Sequence, residues 1–401
     1  MTEPDLAKVA YELRHELAEH LVDEGWLRSP EWRAAVEDVP RHEFVPRFYV
    51  PSETPGATTY VPITPDLVGD EAWLRQAYAD ETLLTQFDGR DIDWADPQPI
   101  SNANPTSSST LPSLVVRMLE ALEVDDGMTV TEYGTGTGYS TALMCRRLGA
   151  DRVTSVETDP GVAARAAAAL DRCGYRPQLV TGNGLDGAGL DKAADRTIAT
   201  MGVRSIPETW VRETQPTGII LATLRGWMRS LGLVRLVVDD EQTATGRFIA
   251  GEPHFMIARQ QDAPESLGML PGLEDGKTRT TPHGPELLRM HDSGFVAQLA
   301  MPNARFFTMP ADDGTVNTYV LDSTNDSFAV LSPDGDGWTV RQGGPVPLWD
   351  EVERSLAVWH AAGAPGPSEF GVSVTAGSQR VWLGTPSGPS WSLPSSEVSD
   401  S

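Results

Sequence analysis

The chain has 401 residues, a formal net charge of −26 at pH 7, 40% hydrophobic residues and 22% charged residues. This length allows two domains, each with its own core, and the composition is typical of a soluble globular protein. The acidity argues against a nucleic-acid partner, because phosphate backbones are bound through clustered Lys and Arg, and the sequence has no such cluster. No apolar run approaches the roughly 20 residues that span a bilayer, so we expect no membrane association.

The start of the sequence and its cysteines indicate the cellular compartment. No basic region followed by an apolar one is found after Met1, so we expect no secretory signal peptide. The two cysteines, Cys145 and Cys173, belong to no metal-ligand spacing. We therefore expect a cytoplasmic protein with free thiols and no metal site.

Two helices are predicted at the beginning of the chain. Apolar residues at helical spacing predict the first helix over residues 5–24. Ser29 followed by Pro30 predicts the N-cap and the first position of the second helix. Residues 39–46 contain two prolines and are predicted to be extended.

The next part of the chain is poor in periodic patterns. Residues 51–100 are rich in Pro, Thr, Asp and Gly, which predicts a loop-rich cover with one short helix over 70–78. Residues 102–112 are rich in hydroxyl and amide side chains and precede a predicted helix over 112–122. Two interpretations of this stretch stay open: its hydroxyls cap that helix within a surface loop, or it contributes to a functional site.

Residues 130–138, Val-Thr-Glu-Tyr-Gly-Thr-Gly-Thr-Gly, are typical of a short strand that runs into a glycine-rich turn. A helix is predicted to begin near Tyr139. Alternate glycines allow a sharp bend and let a ligand lie against bare main chain. The free N–H groups of the following helix then face that ligand.

From here to about residue 228, predicted strands and helices alternate. This alternation predicts an α/β fold with a doubly wound, largely parallel sheet, whose ligands bind at the carboxyl ends of the strands. The predicted strands are 129–133, 152–157, 178–181, 195–200 and 218–223, and helices are predicted over 161–173 and 207–213.

Beyond residue 228 the pattern changes to strands around one amphipathic helix, and it predicts an additional C-terminal α+β domain without a catalytic constellation. The strands are predicted over 233–238, 243–249, 295–300, 316–321, 328–331, 338–341, 372–374 and 380–383, the helix over 348–361, and a linker or long loop over 260–284. The predicted domains are therefore 1–100, 101–228, 229–390 and a disordered tail, 391–401.

Two acidic residues frame the glycine turn. Glu157 ends the next predicted strand, at about the distance where a ribose-binding carboxylate is expected, which suits a nicotinamide or an adenosyl ligand. The turn reads G-x-G-x-G instead of the G-x-G-x-x-G of the dinucleotide fingerprint. This difference argues against a nicotinamide ligand. Glu132 precedes the first glycine by two residues and would favour a cationic amine or sulfonium nearby.

The segment 132–143, Glu-Tyr-Gly-Thr-Gly-Thr-Gly-Tyr-Ser-Thr-Ala-Leu, resembles the first motif of the protein-L-isoaspartate O-methyltransferase family. The resemblance covers roughly residues 5–228, and further matching segments follow the family order at 41–46, 78–80, 155–157, 182–187 and 195–198. It implies a Rossmann-like class I methyltransferase fold, S-adenosylmethionine as the cofactor, and a carboxylate in a peptide or protein as the methyl acceptor.

The resemblance also implies site residues. The family's loop over the methyl donor corresponds to residues 108–112, and its active-site serine corresponds to Thr110. With Ser109, this hydroxyl would hold the substrate carboxylate. The implied cofactor-binding residues are Ser107, Ser108, Glu132, Gly134, Thr135, Gly136, Thr137, Gly138, Glu157, Asn183, Gly184, Leu185 and Met201.

Several positions depart from the family pattern. Threonine replaces serine at 110, Asn183 stands where the family usually has Asp, and Leu224-Arg225-Gly226 replaces the usual Pro-Val-Gly. The segment around Met201 also differs. Together with the insertion at 51–100 and the C-terminal domain, these departures indicate a specialised substrate.

The chain is similar to the longer family members that accompany ribosomally made, modified peptides, including ester- and amide-crosslinked ones. That similarity implies methylation of an Asp side chain in a modified or macrocyclic precursor peptide, and the ester then closes to an aspartimide that opens to isoaspartate. Two alternatives stay open: an isoaspartyl repair enzyme with an appended domain, and a non-catalytic binding protein with a methyltransferase fold.

Other prominent side chains are expected to be structural. His42 is a conceivable general base, but its place in a proline-framed segment favours a structural role. The tryptophans at 227, 349 and 359 are expected to belong to the core.

Overall fold

The computed structural model describes residues 3–52, 58–251, 253–264, 276–311 and 314–394. It divides into two compact units, the first made of residues 1–200 and 209–221 and the second of 201–208 and 222–401. No described helix is both long and apolar enough to cross a bilayer.

The N-terminal part of the first unit combines short helices with an antiparallel sheet. The sheet has five strands in the order β4-β2-β1-β3-β5. The elements are α1 (Glu3–Asp23), α2 (Pro30–Asp38), α3 (Arg41–Phe44), β1 (Phe48–Pro51), β2 (Thr59–Ile63), α4 (Pro65–Val68), α5 (Asp70–Ala77), β3 (Leu83–Phe87), β4 (Ile100–Ser101) and β5 (Pro105–Ser109).

The structure corrects two predictions in this part of the chain and confirms the position of the α2 N-cap. Residues 41–44 form a helical turn, not an extended segment, because Pro40 occupies the N-cap and the next proline comes only at 46, after the turn has ended. Ser29 does occupy the N-cap of α2, but its hydroxyl donates to Glu120 instead of capping. Besides the predicted helix, the described part of the span 51–100 contains β2, β3, the start of β4 and a second helix, α4; residues 53–57 lie outside the described ones.

The hydroxyl-rich stretch 102–112 is largely a strand. Residues 105–109 form β5, which pairs antiparallel with β3. The interpretation that its hydroxyls cap the following helix is wrong. That helix, α6 (Pro112–Ala121), has Leu111 at its N-cap, and the main-chain N–H of Ser113 donates instead to Asp80 at 2.8 Å.

The rest of the first unit is the predicted α/β sheet. Its strands follow the order β8-β7-β6-β9-β10, and β6 pairs in parallel with both β7 and β9. Because the chain leaves β6 to one side and returns to its other side, the carboxyl end of β6 is a topological switch point. The elements are β6 (Val130–Tyr133), α7 (Tyr139–Leu148), β7 (Val153–Glu157), α8 (Pro160–Arg172), β8 (Gln178–Thr181), β9 (Ala194–Val203), α9 (Glu208–Arg212) and β10 (Thr214–Arg225).

The second unit contains two antiparallel arrangements of strands. One has the order β20-β19-β18-β12-β11, and the other has the order β13-β17-β16-β15-β14. The elements are β11 (Ser230–Val238), β12 (Ala244–Ile249), β13 (Lys277–Thr281), α10 (His291–Ala300), β14 (Arg305–Pro310), β15 (Val316–Asp322), β16 (Ser327–Asp334), β17 (Gly337–Gly343), α11 (Leu348–Ala361), β18 (Phe370–Thr375), β19 (Ser378–Leu383) and β20 (Ser390–Ser392).

Most predictions for this unit are confirmed, including α11 and both hairpins. The predicted strand 295–300 is wrong, because these residues belong to α10. Seven successive residues of α10, 293–299, are buried, so the apolar run shows no one-sided periodicity. The predicted linker 260–284 contains strand β13, and strand β20 extends to Ser392, inside the predicted tail. Residues 265–275 and 395–401 of these two segments lie outside the described residues.

Candidate functional site

The glycine turn connects β6 to α7 in a conformation that requires glycine. Gly134, Gly136 and Gly138 have φ angles of 101°, 55° and 90°. A Cβ atom at Gly134 would lie 2.7 Å from the Thr200 hydroxyl, which donates to the Gly134 carbonyl at 2.5 Å. Gly138 is the N-cap of α7, so the turn delivers the chain to a helix N-terminus with free N–H groups.

Glu132 supports the turn from inside. Its carboxylate is fully buried and accepts hydrogen bonds from Ser140 and Thr141 at 2.5 Å each and from Ser155 at 2.7 Å. Burial raises the pKa of this carboxyl, and the three hydroxyl donors oppose that rise. The expected direct contact with the cofactor does not fit this placement. We therefore assign Glu132 to holding β6, β7 and the start of α7 together.

Glu157 stands at the carboxyl end of β7, beside the turn. One carboxylate oxygen accepts from the N–H of Gly136 at 2.9 Å, and the other accepts from the N–H of Asp159 at 3.0 Å. The side chain is 8% exposed. This placement agrees with the carboxylate position expected for ribose recognition at a switch point.

Strand β5 passes directly over the turn. A Cβ atom at Gly136 would lie 3.4 Å from the carbonyl of Ser108. Ser107 and Ser109 point to the same face of the strand, because side chains alternate along it. The Ser107 hydroxyl accepts from Thr85 at 3.1 Å, whereas the Ser109 hydroxyl is buried and has no hydrogen-bond partner among the described residues. A buried hydroxyl without a partner suits a group that meets a ligand.

Arg41 holds the end of β5 in place. Its guanidinium is fully buried and donates to the main-chain carbonyls of Ala77, Ala79, Glu81 and Thr110 at 2.8–3.2 Å. Burial lowers the pKa of Arg41 to about 10, so the side chain remains charged at pH 7. We call this set of four bonds the Arg41 clamp. It fixes the main chain of Thr110 relative to residues 77–81.

A groove of about 250 Å³ opens beside the turn, and Ser107, Gly136 and Thr137 line it. Three guanidiniums also line it, and two are paired: Arg165 with Asp91 at 2.8 Å and Arg172 with Glu43 at 3.3 Å.

The third guanidinium, Arg47, differs from the other two. It lies 5.6 Å from the ring centre of Trp94 and has no ion pair among the described residues. Arg47 is therefore the lining guanidinium for which the described residues provide no carboxylate partner.

The remaining predicted cofactor residues lie at the ends of β6, β8 and β9. Thr135 is buried, and its hydroxyl bonds that of Ser155 at 2.6 Å. Asn183 uses its side-chain oxygen to cap the turn at Leu185 (3.2 Å), so that oxygen is already engaged; Gly184 is buried in the same turn. Met201 is half-buried on β9 and belongs to the second unit, so its contact with the cofactor stays a prediction.

His42 is structural, as its sequence context suggested. Nδ1 lies 2.6 Å from the Tyr78 hydroxyl, and burial lowers the pKa of His42 to about 4. A base with that pKa is weak at pH 7. Arg41, Arg47 and Trp94 were not identified as site residues from the sequence. Arg41 lies in a segment that resembles the family, but no sequence pattern predicts that its guanidinium is buried.

Comparisons with known proteins give one consistent answer. Residues 75–242 match the family model of protein-L-isoaspartate(D-aspartate) O-methyltransferase. The protein-L-isoaspartate O-methyltransferase of Methanopyrus kandleri is 29% identical over 60% of this chain and 89% of its own length. The corresponding protein of Ignicoccus hospitalis is 28% identical over 52% of this chain and 81% of its own length.

The fold agrees as well. A solved structure of a protein-L-isoaspartate O-methyltransferase matches with a TM-score of 0.52 and 21% identity, over 93% of this chain and 100% of that one. The first unit thus has the class I methyltransferase fold. A match of this extent includes most of the C-terminal unit, so the presence of that unit alone does not indicate a specialised substrate.

Proposed function

We propose that this chain is a member of the protein-L-isoaspartate O-methyltransferase family and an S-adenosylmethionine-dependent carboxyl O-methyltransferase acting on peptides or proteins, because residues 75–242 match the family model and the relatives described above carry that name. The observation that carries this proposal is the approach of β5 to the glycine turn. There the carbonyl of Ser108 lies against Gly136, and the buried hydroxyl of Ser109, two residues along β5 from Ser107, has no hydrogen-bond partner among the described residues.

The residues of the turn fit the cofactor. The positive φ angles leave bare main chain at Gly134, Gly136 and Gly138, and Glu157 can accept hydrogen bonds from ribose hydroxyls. When bound, S-adenosylmethionine supplies an electrophilic methyl group on a sulfonium. Ser107, Ser108, Thr135 and Thr137 would flank it.

The chain's own residues have little proton chemistry to perform. A substrate carboxylate is already ionised at pH 7, so methyl transfer requires alignment and exclusion of water, not a strong base. Ser109 and Thr110 are proposed to hold that carboxylate through their hydroxyls. The Arg41 clamp fixes the main chain that carries Thr110, and Arg47 attracts acidic substrates to the groove.

For the substrate, we propose an Asp side chain in a ribosomally made, modified peptide, with aspartimide and then isoaspartate as later products. The support is the set of departures from the family pattern at Thr110, Asn183 and Arg225. Repair of isoaspartyl proteins is the second candidate. It is favoured by the relatives that are named protein-L-isoaspartate O-methyltransferases.

The test is mass spectrometry of three peptides incubated with the full chain and S-adenosylmethionine. One carries isoaspartate, the second carries Asp at the same position, and the third is a side-chain-crosslinked version of the second. The modified-peptide proposal predicts a methyl ester or its aspartimide on the crosslinked peptide. Methylation of the isoaspartyl peptide alone would establish repair instead, and no product on any of the three would contradict both substrate proposals.

A non-catalytic binding protein is the remaining alternative. It predicts no methyl transfer to any acidic peptide even when S-adenosylhomocysteine binds. Methyl transfer to a single peptide in the same assay is enough to reject it.

A further inference from the structure

The loop of residues 183–189 carries three of the predicted cofactor residues and is held by residues 209–213, at the end of α9. Both segments belong to the first unit. The loop follows β8, and the N–H of Gly182, just before it, donates to the carbonyl of Glu157 at 2.9 Å. This bond places the loop next to the carboxylate that is proposed to accept ribose hydroxyls. The position of the loop therefore bears on how an adenosyl ligand is bound.

Two side chains of α9 hold the first part of this loop. The hydroxyl of Thr209 donates to the carbonyl of Leu185 at 2.9 Å, and Nε1 of Trp210 donates to the carbonyl of Gly184 at 2.7 Å. Because Trp210 is fully buried, water does not compete for its indole N–H. Both bonds end on main-chain carbonyls, so they fix the path of the loop itself.

Glu213, which follows α9 directly, holds the last part of the loop. One oxygen of its carboxylate accepts from the N–H of Ala188 at 2.8 Å, and the other accepts from the N–H of Gly189 at 3.0 Å. Gly187 allows this close approach: its φ angle is 92°, and an added Cβ atom would lie 2.6 Å from a carboxylate oxygen of Glu213. The loop therefore passes in direct contact with this carboxylate.

Tyr133 connects the same carboxylate to the glycine turn, because it is fully buried and directly precedes Gly134. Its hydroxyl donates to Glu213 at 2.8 Å, and its ring stacks on that of Trp210, with the ring centres 4.5 Å apart and the planes at 9°. Burial and the adjacent carboxylate raise the pKa of Tyr133, so the phenol remains a donor at pH 7. A displacement of Glu213 would therefore disturb the loop and the start of the turn together.

We propose that Glu213 is a positioning residue for the cofactor site, which holds the loop 183–189 in place relative to the glycine turn before the ligand binds. The proposal rests on the proposed function, because it takes the loop and the turn as two sides of one adenosyl site. In this role Glu213 acts through the main chain of the loop and through Tyr133. A site that is already ordered binds more tightly, because the ligand does not have to order it.

Glu213→Gln tests this role with little change in shape. An ionised carboxylate only accepts hydrogen bonds, whereas one side of an amide group is a donor. In the variant, one of the N–H groups of Ala188 and Gly189 therefore loses its acceptor. In calorimetric titration of the full chain, we expect S-adenosylhomocysteine to bind about tenfold more weakly than to the wild type, and adenosine alone to lose a similar factor.

The kinetics separate positioning from a general loss of structure. With the peptide that the wild type methylates, KM for S-adenosylmethionine should rise about tenfold in Glu213→Gln, whereas kcat at saturating cofactor should stay within about twofold of the wild type. A merely structural role would lower the unfolding temperature without this split between KM and kcat.

Glu120→Gln is the matched control. Glu120 also accepts from two main-chain N–H groups, those of Arg28 and Ser29, and from the Ser29 hydroxyl, each at 2.8 Å, but it lies on α6 and contacts the start of α2. The same loss of a carboxylate should leave KM and the affinity for S-adenosylhomocysteine unchanged.

Tyr133→Phe is a second, milder test, which also serves if Glu213→Gln does not fold. The variant keeps the ring on Trp210 and removes only the phenol donor, so we expect affinity for S-adenosylhomocysteine to fall about two- to threefold. Combined with Glu213→Ala, the same change should cost nothing further, because the phenol then has no carboxylate to bind.

The contrary results distinguish a failure of this inference from a failure of the proposed function. If the wild type binds S-adenosylhomocysteine and Glu213→Gln binds it equally well, only the positioning role is overturned. A lower kcat with an unchanged KM also overturns it, because Glu213 would then serve the methyl acceptor. If the wild type itself does not bind S-adenosylhomocysteine, the proposed function fails and the positioning role fails with it.

Discussion

Thr110 follows β5 directly, and its main chain is fixed by Arg41 while its side chain is half-buried. If its hydroxyl holds the substrate carboxylate, Thr110→Ala should lower kcat roughly tenfold, the loss expected for one hydrogen bond of up to about 1.5 kcal/mol. Affinity for S-adenosylhomocysteine should stay unchanged. Both values come from steady-state kinetics and calorimetry on the same preparation.

The control for this change lies on the same strand. Thr106→Ala removes a hydroxyl that donates to Gln86 at 2.9 Å and should leave kcat within about twofold of the wild type. Loss of cofactor binding in Thr110→Ala would mean that this loop residue serves the cofactor and not the substrate.

His42 predicts a pH dependence of stability. Burial lowers its pKa from 6.5 to about 4, so between these values the unfolded chain binds more protons than the folded one. Stability therefore rises with pH across this window and is lost as pH falls from 6.5 toward 4, by about 2 kcal/mol between pH 7 and pH 5.

His42→Gln removes this titration. Its first thermal unfolding transition, followed by circular dichroism, should fall less between pH 7 and pH 5 than that of the wild type. An equal fall in both proteins would show that other groups account for the acid sensitivity.

Among the structural elements, the glycine turn was the most predictable from the sequence. Alternate glycines after a short apolar strand specify a bend with positive φ angles, and the structure has them at all three positions. The role of Glu132 was not predictable, because its three hydroxyl partners come from α7 and β7, and only the tertiary fold brings these elements together.

Strand β5 and helix α10 show the limits of local patterns. Residues 105–109 are rich in serine, which is compatible with both loops and strands. They form a strand because they pair with β3. Helix α10 is buried on most sides, so its sequence carries no one-sided apolar stripe.

Gly134→Ala tests the turn. The substitution places a side chain at φ 101° and a Cβ atom 2.7 Å from the Thr200 hydroxyl, so we expect a destabilisation above about 2 kcal/mol and a loss of S-adenosylhomocysteine affinity. Gly174→Ala is the control, because its φ is also positive, at 81°, but no atom lies within 4 Å of the added Cβ. It should cost about 1 kcal/mol and leave affinity unchanged. Equal effects in urea unfolding would contradict the steric argument.

The Arg41 clamp joins three segments of the first unit. Arg41→Lys cannot reach all four carbonyls, so we expect a loss of about 2–4 kcal/mol in urea unfolding and a lower kcat through displacement of Thr110. Arg33→Lys, at a partly exposed pair with Glu37, should change stability by less than about 0.5 kcal/mol. A stable Arg41→Lys protein with normal kcat would show that the clamp does not position the site.

At the scale of the whole molecule, the two units differ in the features that they contain. The first unit contains the glycine turn, strand β5 and the groove, and its fold class could be predicted from the ordered sequence motifs. Most strands and one helix of the second unit could be predicted from the sequence, but no functional site could. Arg204 and Arg225 of this unit are 21 positions apart in the sequence and line one small cavity.

The cofactor site is the claim on which the proposed function depends. Calorimetric titration of the full chain with S-adenosylhomocysteine tests it most directly. We predict one site per chain with a dissociation constant in roughly the micromolar range, weakened about tenfold or more by Glu157→Gln and unchanged by Glu120→Gln, whose carboxylate accepts from Ser29 instead. No heat of binding from the folded wild-type chain, or equal binding by Glu157→Gln, would contradict it.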